Sequence, residues 1–396
     1  MRMKKVFNYA FLAFLALSLS TTFVSCSDEN EDKPLSQQEE RDKAYNEIAD
    51  AFVNNTVVPT YEQMALKASV LVEDLKTYRK NPTQDNLNKA CEDFLLSRQW
   101  WERSEAFLFG AASDFGIDPH IDSWPLDLPA LQKYLATATN IEELNGEDFD
   151  IAARTKLGQE LLGYHGVEYI LFEEGKPRVA GSIEDKYLVY AIAVAGDLRN
   201  SCWQLLTSWA GKEYASKLDA DLVKHIIEDV ELPVTVGGKG FSYGENILMA
   251  GKPGSLYSSW VNALQSIVSG CNDICDEVGT SKIGSAHTGQ DISYIESPYS
   301  RMSIEDFHNN IISVENVYYG GIEGKRGKAS MHNYMAKNNK AMDMEVVNAI
   351  KEAKDAIKGM KAPFVENYKD ASCEKAMDAC KALDETLSKL KSALEK

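Results

Sequence analysis

Helical periodicity dominates this sequence from about residue 40 to its end. Apolar residues recur three and four positions apart in nearly every segment, as in QQEERDKAYNEIADAFVNNTVV. No convincing segment alternates apolar and polar residues as a half-buried strand would. Pro59 interrupts the first long helical pattern, where we expect a kink or a break. The sequence therefore predicts an all-α fold.

A glycine-rich stretch, LPVTVGGKGFSYGENILMAGKPG at 232–254, interrupts the helical pattern and predicts a junction. It separates an N-terminal helical bundle at 40–231 from a C-terminal helical bundle at 255–396, in keeping with the size of ordinary domains. RSEAFLFGA at 103–111 and SVENVYYGG at 313–321 share an acidic residue, two aromatic positions and a glycine. We therefore expect two helical-bundle domains that derive from a duplicated unit resembling a four-helix bundle.

The N-terminus has the pattern of a lipoprotein signal peptide. Residues 1–25 combine a basic start with an apolar stretch, and FVSC places Cys26 where a lipobox would be cut and lipidated. An ordinary secretory signal with an incidental cysteine is the alternative. The acidic tether that follows, 26–39, resembles the surface-export signal of lipoproteins in the Bacteroides group. We predict a lipid-anchored outer-membrane protein, exposed at the cell surface or, alternatively, facing the periplasm.

Charge and cysteine spacing exclude several classes of function. Removal of the three cations of the signal segment changes the net charge from -18 to -21, so nucleic acid is an unsuitable partner and cations are suitable ones. Six cysteines remain without a CxxC pair, which excludes zinc ribbons and thioredoxin-like motifs. Two alternatives stay open: one disulfide between the helix of Cys271 and Cys275 and the helix of Cys373 and Cys380, or buried free thiols.

Three segments carry side chains that could bind a metal ion. His165 and Glu168 are three residues apart on a helical pattern, so they share a face. Glu102 and Glu105 have the same spacing beside a run of aromatic residues, and Asp122 follows in a loop. Carboxylates in apolar surroundings are costly unless they are paired or bind a metal. One imidazole among carboxylates favours iron, manganese or calcium.

A structural alternative explains the same residues without a metal. His165 would hydrogen-bond to its own helix neighbour Glu168, Arg103 would neutralise Glu102, and Asp122 would begin a turn. Gly163 and Gly166 flank the histidine at a cost of about 1 kcal/mol each in a helix. They keep bulk away from His165, which allows either a close ligand loop or close helix packing.

The segments SEAFLFG at 104–110, IDSWP at 121–125 and GYHGVE at 163–168, in this order, resemble the imelysin family. The family signature Gly-x-His-x-x-Glu is matched by Gly163, His165 and Glu168, and the likeness covers most of 40–395. The resemblance implies an envelope protein with two similar helical bundles, linked to iron acquisition, with His165 and Glu168 at its functional site. Ala111 replaces a proline that many members have, and the second half matches more weakly.

These observations favour a metal-binding protein of iron acquisition, with iron as the expected ion and zinc or calcium as alternatives. An outer-membrane transporter is the expected protein partner. A metallopeptidase of imelysin type is the second reading, but HExxH is absent and no third histidine lies near. Binding of haem or another iron chelate is the third, with His165 as axial ligand among aromatic residues, namely Trp100, Trp101, Trp124 and Tyr164.

Replacement of Cys26 by Ala should release the protein from the membrane fraction, because the thioether to lipid can then not form. Fractionation followed by immunoblotting measures this, with Cys91→Ala as a variant that keeps its anchor. A fully processed Cys26→Ala protein that stays in the membrane fraction would disprove the lipid anchor.

Overall fold

The computed structural model describes residues 35–395, so the predicted signal peptide, Cys26 and most of the predicted tether lie outside the described residues. The first half contains, in order, α1 (Gln37–Ala51), a π-helical turn (Phe52–Val57), α2 (Val58–Lys80), α3 (Gln84–Glu102), a 3-10 turn (Glu105–Phe107), α4 (Ala111–Asp114), α5 (Asp118–Ile121), α6 (Leu128–Leu135), α7 (Ala138–Leu144), α8 (Phe149–Lys156), a 3-10 turn (Gln159–Leu161), α9 (Gly163–Leu171), β1 (Phe172–Glu173), β2 (Lys176–Pro177), α10 (Asp185–Ala210), α11 (Lys212–Leu218) and α12 (Ala220–Glu228).

The rest of the described chain contains a 3-10 turn (Val236–Gly238), α13 (Tyr243–Ile247), α14 (Trp260–Glu277), a second π-helical turn (Val278–Ile283), α15 (Gly284–Thr288), α16 (Ser303–Tyr318), α17 (Met331–Asn338), α18 (Lys340–Lys358), α19 (Phe364–Asn367) and α20 (Ala371–Ala393). Within 35–395 the only strands are the short antiparallel pair β1 and β2, with Phe172 opposite Pro177. The all-α prediction is confirmed.

Two groups of long helices form the body of the molecule. Helix α2 packs against both α3 and α10 in the first half, and α20 packs against both α14 and α18 in the second. The groups are in direct contact: α14 packs on the 3-10 turn Glu105–Phe107, and α16 packs on α3. Helix α1 also reaches the second group, where the Tyr45 hydroxyl donates to the Leu394 carbonyl at 2.9 Å. Any site at this contact is therefore built from both halves of the chain.

The proline of the first long helix alters the helix without breaking it. Pro59 lies in the first turn of α2, directly after the π-helical turn, and the chain stays helical throughout. A proline in a helix leaves the carbonyl four residues earlier without its usual donor. Here that carbonyl belongs to Asn55, and it accepts from the backbone N–H of Ile322 at 2.9 Å. The proline thus frees a carbonyl that ties the second half to the first.

Helix boundaries differ from the periodic pattern at three places. The first turn of α1 covers 37–39 and so overlaps the predicted tether, because Ser36 and Glu39 form a capping box. Helix α3 begins after the Thr83 cap and ends at Glu102, before the Glu105 that the spacing placed on the same helix, since the Ser104 hydroxyl donates to the Trp101 carbonyl at 2.7 Å. The helical pattern at 151–175 is divided at 157–162.

The glycine-rich stretch 232–254 is partly packed on the first half. Tyr243 of α13 is 2% exposed, and its hydroxyl donates to Asp114 at 2.6 Å. A Cβ atom on Gly244 would lie 2.5 Å from the carbonyl oxygen of Trp209, so this glycine allows α13 to approach α10 closely. The division into domains at this stretch remains a prediction.

The six cysteines between 35 and 395 are buried free thiols, the second of the two alternatives that the sequence left open. None of the helices in the described part of the chain combines the length and the apolar character needed to cross a bilayer. The core is continuous across both halves and contains the largest fully buried side chains, among them Trp101, Trp203 and Trp209.

Gly270→Ala should destabilise the protein, although alanine is normally the better helix former. Gly270 lies in α14, and a Cβ atom there would be 2.4 Å from the Ala106 carbonyl oxygen and 3.0 Å from the Phe109 ring. Overpacking of this kind costs about 1–3 kcal/mol. Urea unfolding measures the change, with Gly327→Ala as the control because nothing lies within 4 Å of its Cβ position. An unchanged midpoint in Gly270→Ala would refute the close contact between the halves.

Candidate functional site

The five side chains predicted to bind a metal converge between the two halves. Glu102 ends α3, Glu105 begins the 3-10 turn after it, and Asp122 follows α5. His165 and Glu168 lie on α9 and are 2% and 1% exposed. Glu102 and Glu105 are not on one regular helix as the spacing implied, but their carboxylates still meet, each with an oxygen within 4.8 Å of Asp122.

Two glycines allow the loop of Asp122 to reach His165. Gly163 begins α9 with φ +77°, and a Cβ atom there would lie 2.0 Å from the carbonyl oxygen of Ile121. Only glycine is compatible with both the left-handed backbone and this contact. Gly166 faces the other side, where a Cβ atom would lie 2.3 Å from the Tyr190 hydroxyl. One glycine thus admits the ligand loop and the other allows helix packing.

The imidazole of His165 is held between two carboxylates. Its Nε2 lies 3.0 Å from Asp122 Oδ1, and its Nδ1 lies 3.4 Å from Glu168 Oε2. The Trp124 ring covers it, with ring centroids 4.6 Å apart. Asp122 is fixed by the indole N–H of Trp101, which donates to Oδ2 at 2.7 Å. Neither ring nitrogen of His165 is therefore open to solvent.

Glu168 is anchored to the second half of the chain. Its Oε1 accepts from the backbone N–H of Ser300 at 2.8 Å and from the Ser300 hydroxyl at 2.7 Å. Its Oε2 faces His165 Nδ1. Both oxygens are thus engaged, and Glu168 orients the imidazole while the Nε2 side faces the other carboxylates.

Four further charged residues complete the site, and the sequence did not reveal them. Arg98 contacts Asp122 and Glu296 through its guanidinium and lies 2.6 Å from Glu102. Asp306 has an oxygen 4.0 Å from Arg98 Nε. Glu296 itself and Lys282 are the other two, and Lys282 Nζ lies 3.1 Å from Glu296. The site contains two permanent or strongly held cations in addition to its carboxylates.

Arg98 and Glu102 are four residues apart on α3, so their spacing could have revealed that pair. The others come from the second half, where nothing in the local pattern points to them. The expectation that Arg103 neutralises Glu102 is wrong. Arg103 lies over the Trp100 ring at 5.1 Å and donates to Asn309 at 2.8 Å, because α3 ends at Glu102 and turns its next side chain away.

His120 belongs to a separate network, although it lies only two residues before Asp122. Its Nε2 is 2.6 Å from Asp197, and Arg154 lies 2.9 Å from both. Asp118, in contrast, is influenced electrostatically by the site: burial and the nearby Asp122 raise its pKa to about 6. The segment after α4 therefore contributes to two networks: His120 contacts Asp197 and Arg154, whereas Asp122 belongs to the site.

Carboxylates outnumber cations at this site. Six buried carboxylates face Arg98, Lys282 and His165; they are Glu102, Glu105, Asp122, Glu168, Glu296 and Asp306. Burial of so many acids in low dielectric is costly unless some are protonated or a further cation is present. The composition of the site itself therefore favours proton or cation uptake.

The pKa shifts follow this imbalance. Burial raises the pKa of Glu102 and of Glu105 well above the usual range, although Lys282 opposes it in both and Arg98 opposes it in Glu102. Burial likewise raises the pKa of Asp306 to about 7. Asp122 is the exception, because Arg98 and His165 outweigh burial and hold its pKa well below the usual range. Burial lowers the pKa of His165, but the adjacent carboxylates of Asp122 and Glu168 outweigh it and raise the pKa.

Several buried ligand atoms have no hydrogen bond of normal geometry. They are His165 Nε2, Glu102 Oε1 and Glu296 Oε2. Charged neighbours lie close to each, such as Asp122 Oδ1 at 3.0 Å from His165 Nε2, but the angles do not suit donation. Asp122, His165 and Glu296 each offer an atom within 4.8 Å of the others. Two carboxylates and one imidazole suit a hard or borderline cation such as iron or manganese.

The sequence of this chain matches a known family. The family profile described as Imelysin (Peptidase M75) matches residues 57–390, which include every residue of the site. The chain belongs to the imelysin family.

Among its relatives is iron-regulated protein A of Synechococcus elongatus, which is 27% identical over 322 residues, covering 81% of this chain and 78% of that protein. Among solved structures is one assigned as an iron-regulated protein A precursor from Parabacteroides distasonis. It is 26% identical with a TM-score of 0.74 and covers 92% of this chain and 96% of its own. An imelysin-like protein from Psychrobacter arcticum shares the fold at 14% identity, with a TM-score of 0.57 and coverage of 87% and 93%.

In chelator-treated protein, the free energy of unfolding should fall as pH rises from about 5 to 7. Asp306 keeps its proton in the folded state up to about pH 7, whereas the unfolded group loses it near 3.8. The folded state therefore binds more protons in this window, and one such group contributes a slope of at most about -1.4 kcal/mol per pH unit. Glu102 and Glu105 act in the same direction.

Asp306→Asn should flatten that decline, as measured by urea unfolding at several pH values. Asp355→Asn is the control, since this side chain is 65% exposed and far from the site. An equally steep decline in Asp306→Asn would show that this carboxyl does not keep its proton in the fold.

Proposed function

We propose that this protein binds a metal ion, with iron foremost, in the buried acid site between its two halves, and that it serves iron acquisition. We call this site the chamber; it is formed by His165, Arg98, Lys282 and the six carboxylates around them. The observation that carries the proposal is the convergence of Asp122, His165 and Glu296, with the buried Nε2 of His165 lacking a hydrogen-bond partner. An iron-related role is supported by the family and by the relatives described as iron-regulated. Zinc and calcium remain the alternative ions.

Each residue of the chamber has a distinct part in this proposal. Asp122, His165 and Glu296 supply the ligand atoms, and Glu102 and Glu105 extend the acidic wall beside them. Glu168 holds His165 Nδ1, so that Nε2 is directed at the ion. Because His165 and the protonated carboxyls must lose protons to bind a metal, binding should release protons.

The geometry weighs against a peptidase. Hydrolysis of a polypeptide by a metal needs an open coordination position for water and access for an extended chain. His165 is 2% exposed beneath Trp124, and Arg98 lies against two of the ligand carboxylates. The chamber is suited to enclosing an ion, and access for a polypeptide would require the Trp124 loop to move.

The geometry also weighs against haem. An axial histidine needs one ring nitrogen free for the haem iron and room for the macrocycle on that side. Both nitrogens of His165 face carboxylates, at 3.0 and 3.4 Å, and Trp101 and Tyr164 are fully buried in the core. Delivery of iron from a chelate to the chamber remains compatible with this arrangement.

In this proposal the protein is tethered to the outer membrane through Cys26, at the cell surface or on the periplasmic side, and passes iron to an outer-membrane transporter. The acidic net charge, -21 without the signal segment, suits a protein that attracts cations.

Iron(II), added without oxygen, should raise the melting temperature of the chelator-treated protein. A ligand that binds only the folded state adds about 2.7 kcal/mol of stability at a hundredfold excess over Kd. His165→Ala and Glu296→Gln should lose this shift. His225→Ala should keep it, because His225 also lies between two carboxylates, Asp150 at 2.8 Å and Asp229 at 3.0 Å, but outside the chamber.

Differential scanning fluorimetry and metal analysis after desalting provide the measurements. A shift that persists in His165→Ala, or no shift in the parent protein, would refute the site. Metal-dependent cleavage of an unfolded polypeptide that survives repurification and is lost in Glu168→Ala would establish the peptidase instead.

A further inference from the structure

Lys282 lies where a cation would be expected among the carboxylates of the chamber. Its Nζ is 3.1 Å from Glu296 Oε2 and 3.8 Å from an oxygen of each of Glu102 and Glu105. Its side chain is 6% exposed. Lysine is almost never buried to this extent unless it is paired. The ammonium therefore acts as a counter-ion to three acids at once.

The contacts of Lys282 are electrostatic rather than directional. Only Glu296 lies within hydrogen-bonding distance, since the 3.8 Å separations from Glu102 and Glu105 exceed the usual limit. A lysine ammonium is a compact point charge on a flexible stem. Arg98 differs, because its planar guanidinium contacts three carboxylates and lies 5.2 Å from the centre of the Tyr164 ring. Of the two cations, Lys282 is the one that can leave.

The backbone that carries Lys282 is unusual. It belongs to the π-helical turn Val278–Ile283, which directly continues α14, the helix that packs on Glu105–Phe107. Such turns contain an extra residue and are frequent at functional sites. Glu296 Oε2, which lies 3.1 Å from the ammonium, has no hydrogen bond of normal geometry. The turn thus brings a cation to a carboxylate that still has capacity for ligands.

We propose that Lys282 is an internal counter-cation, which occupies a second cation position formed by Glu102, Glu105 and Glu296 and competes there with incoming metal. The inference rests on the proposed metal-binding function of the same chamber. In the metal-free protein Lys282 limits repulsion among the acids, and it withdraws when a divalent ion takes over that task. The lysine therefore sets how tightly the chamber binds and prevents the empty site from being unstable.

Removal of the charge tests this directly. Lys282→Gln and the apolar Lys282→Met should bind manganese(II) at least about tenfold more tightly than the parent protein, or bind a second ion. A fixed like charge a few Å away would account for about a thousandfold at an effective dielectric constant near 20. Withdrawal of Lys282 reduces this effect, so about tenfold is the lower limit that we expect. Without metal, both variants should melt at a lower temperature. Lys282→Arg should keep the parent affinity, because it keeps the charge.

Lys354→Gln is the matched control. Lys354 Nζ lies 2.8 Å from Glu315, the residue that corresponds to Glu105 in the shared RSEAFLFGA and SVENVYYGG patterns, and it is outside the chamber. Its manganese affinity should equal that of the parent. Isothermal titration calorimetry gives affinity and stoichiometry, and fluorimetry in chelator gives the metal-free stability.

The outcomes separate this inference from the proposed function. Binding by the parent with equal or weaker binding by Lys282→Gln would overturn the inference, since Lys282 would then only position the ligands, and would leave the function intact. Binding by Lys282→Gln alone would contradict both, because Lys282 would then exclude metal from the parent protein instead of withdrawing from it. Absence of binding in both would overturn both. Should the variants fail to fold, hydrogen exchange of 278–283 in the parent decides: faster exchange with manganese supports withdrawal of Lys282, and slower exchange refutes it.

Discussion

Arg98 joins carboxylates from three separate segments of the chain through one guanidinium. Glu102 lies on α3, the same helix as Arg98. Asp122 follows α5, and Glu296 comes from the second half. The arrangement depends on the permanent charge of arginine and on its rigid fork of donors, which lysine does not provide. Removal of one partner from a buried charge pair typically costs about 3–5 kcal/mol. The contact between the halves and the shape of the chamber therefore depend on this residue.

The halves meet through backbone contacts as well as charges. The Asn55 carbonyl, left without a helical donor by Pro59, accepts from Ile322, and Gly270 allows α14 to press on the Ala106 carbonyl. These neutral contacts help to hold the halves together, and burial of the charged groups between the halves strengthens the electrostatic interactions among them. A protein that only needed a stable interface would gain little from burying six acids there. Retention of such a costly cluster is consistent with a ligand that compensates for it.

Local chemistry explains why the chamber has the form it does. The left-handed Gly163 admits the Ile121 carbonyl, which places Asp122 beside His165, and Ser300 fixes Glu168 from the opposite side. The histidine thus lies between two carboxylates of the first half, and Ser300 of the second half fixes one of them. The Trp124 ring covers the histidine.

The amino-acid sequence alone determined the all-α class, the family resemblance and five acid and imidazole residues of the chamber, because periodicity and short motifs are local properties. It did not determine the end of α3, which depends on local capping, or the division of the helix before Gly163, which depends on the left-handed backbone of that glycine. Nor did it determine that the cysteines are free thiols, which depends on the surrounding chain. Arg98, Lys282, Glu296 and Asp306 became part of the site only in the tertiary structure. Their charges are ordinary in sequence and become decisive only once folding removes them from water, where a charge must find its partner in three dimensions.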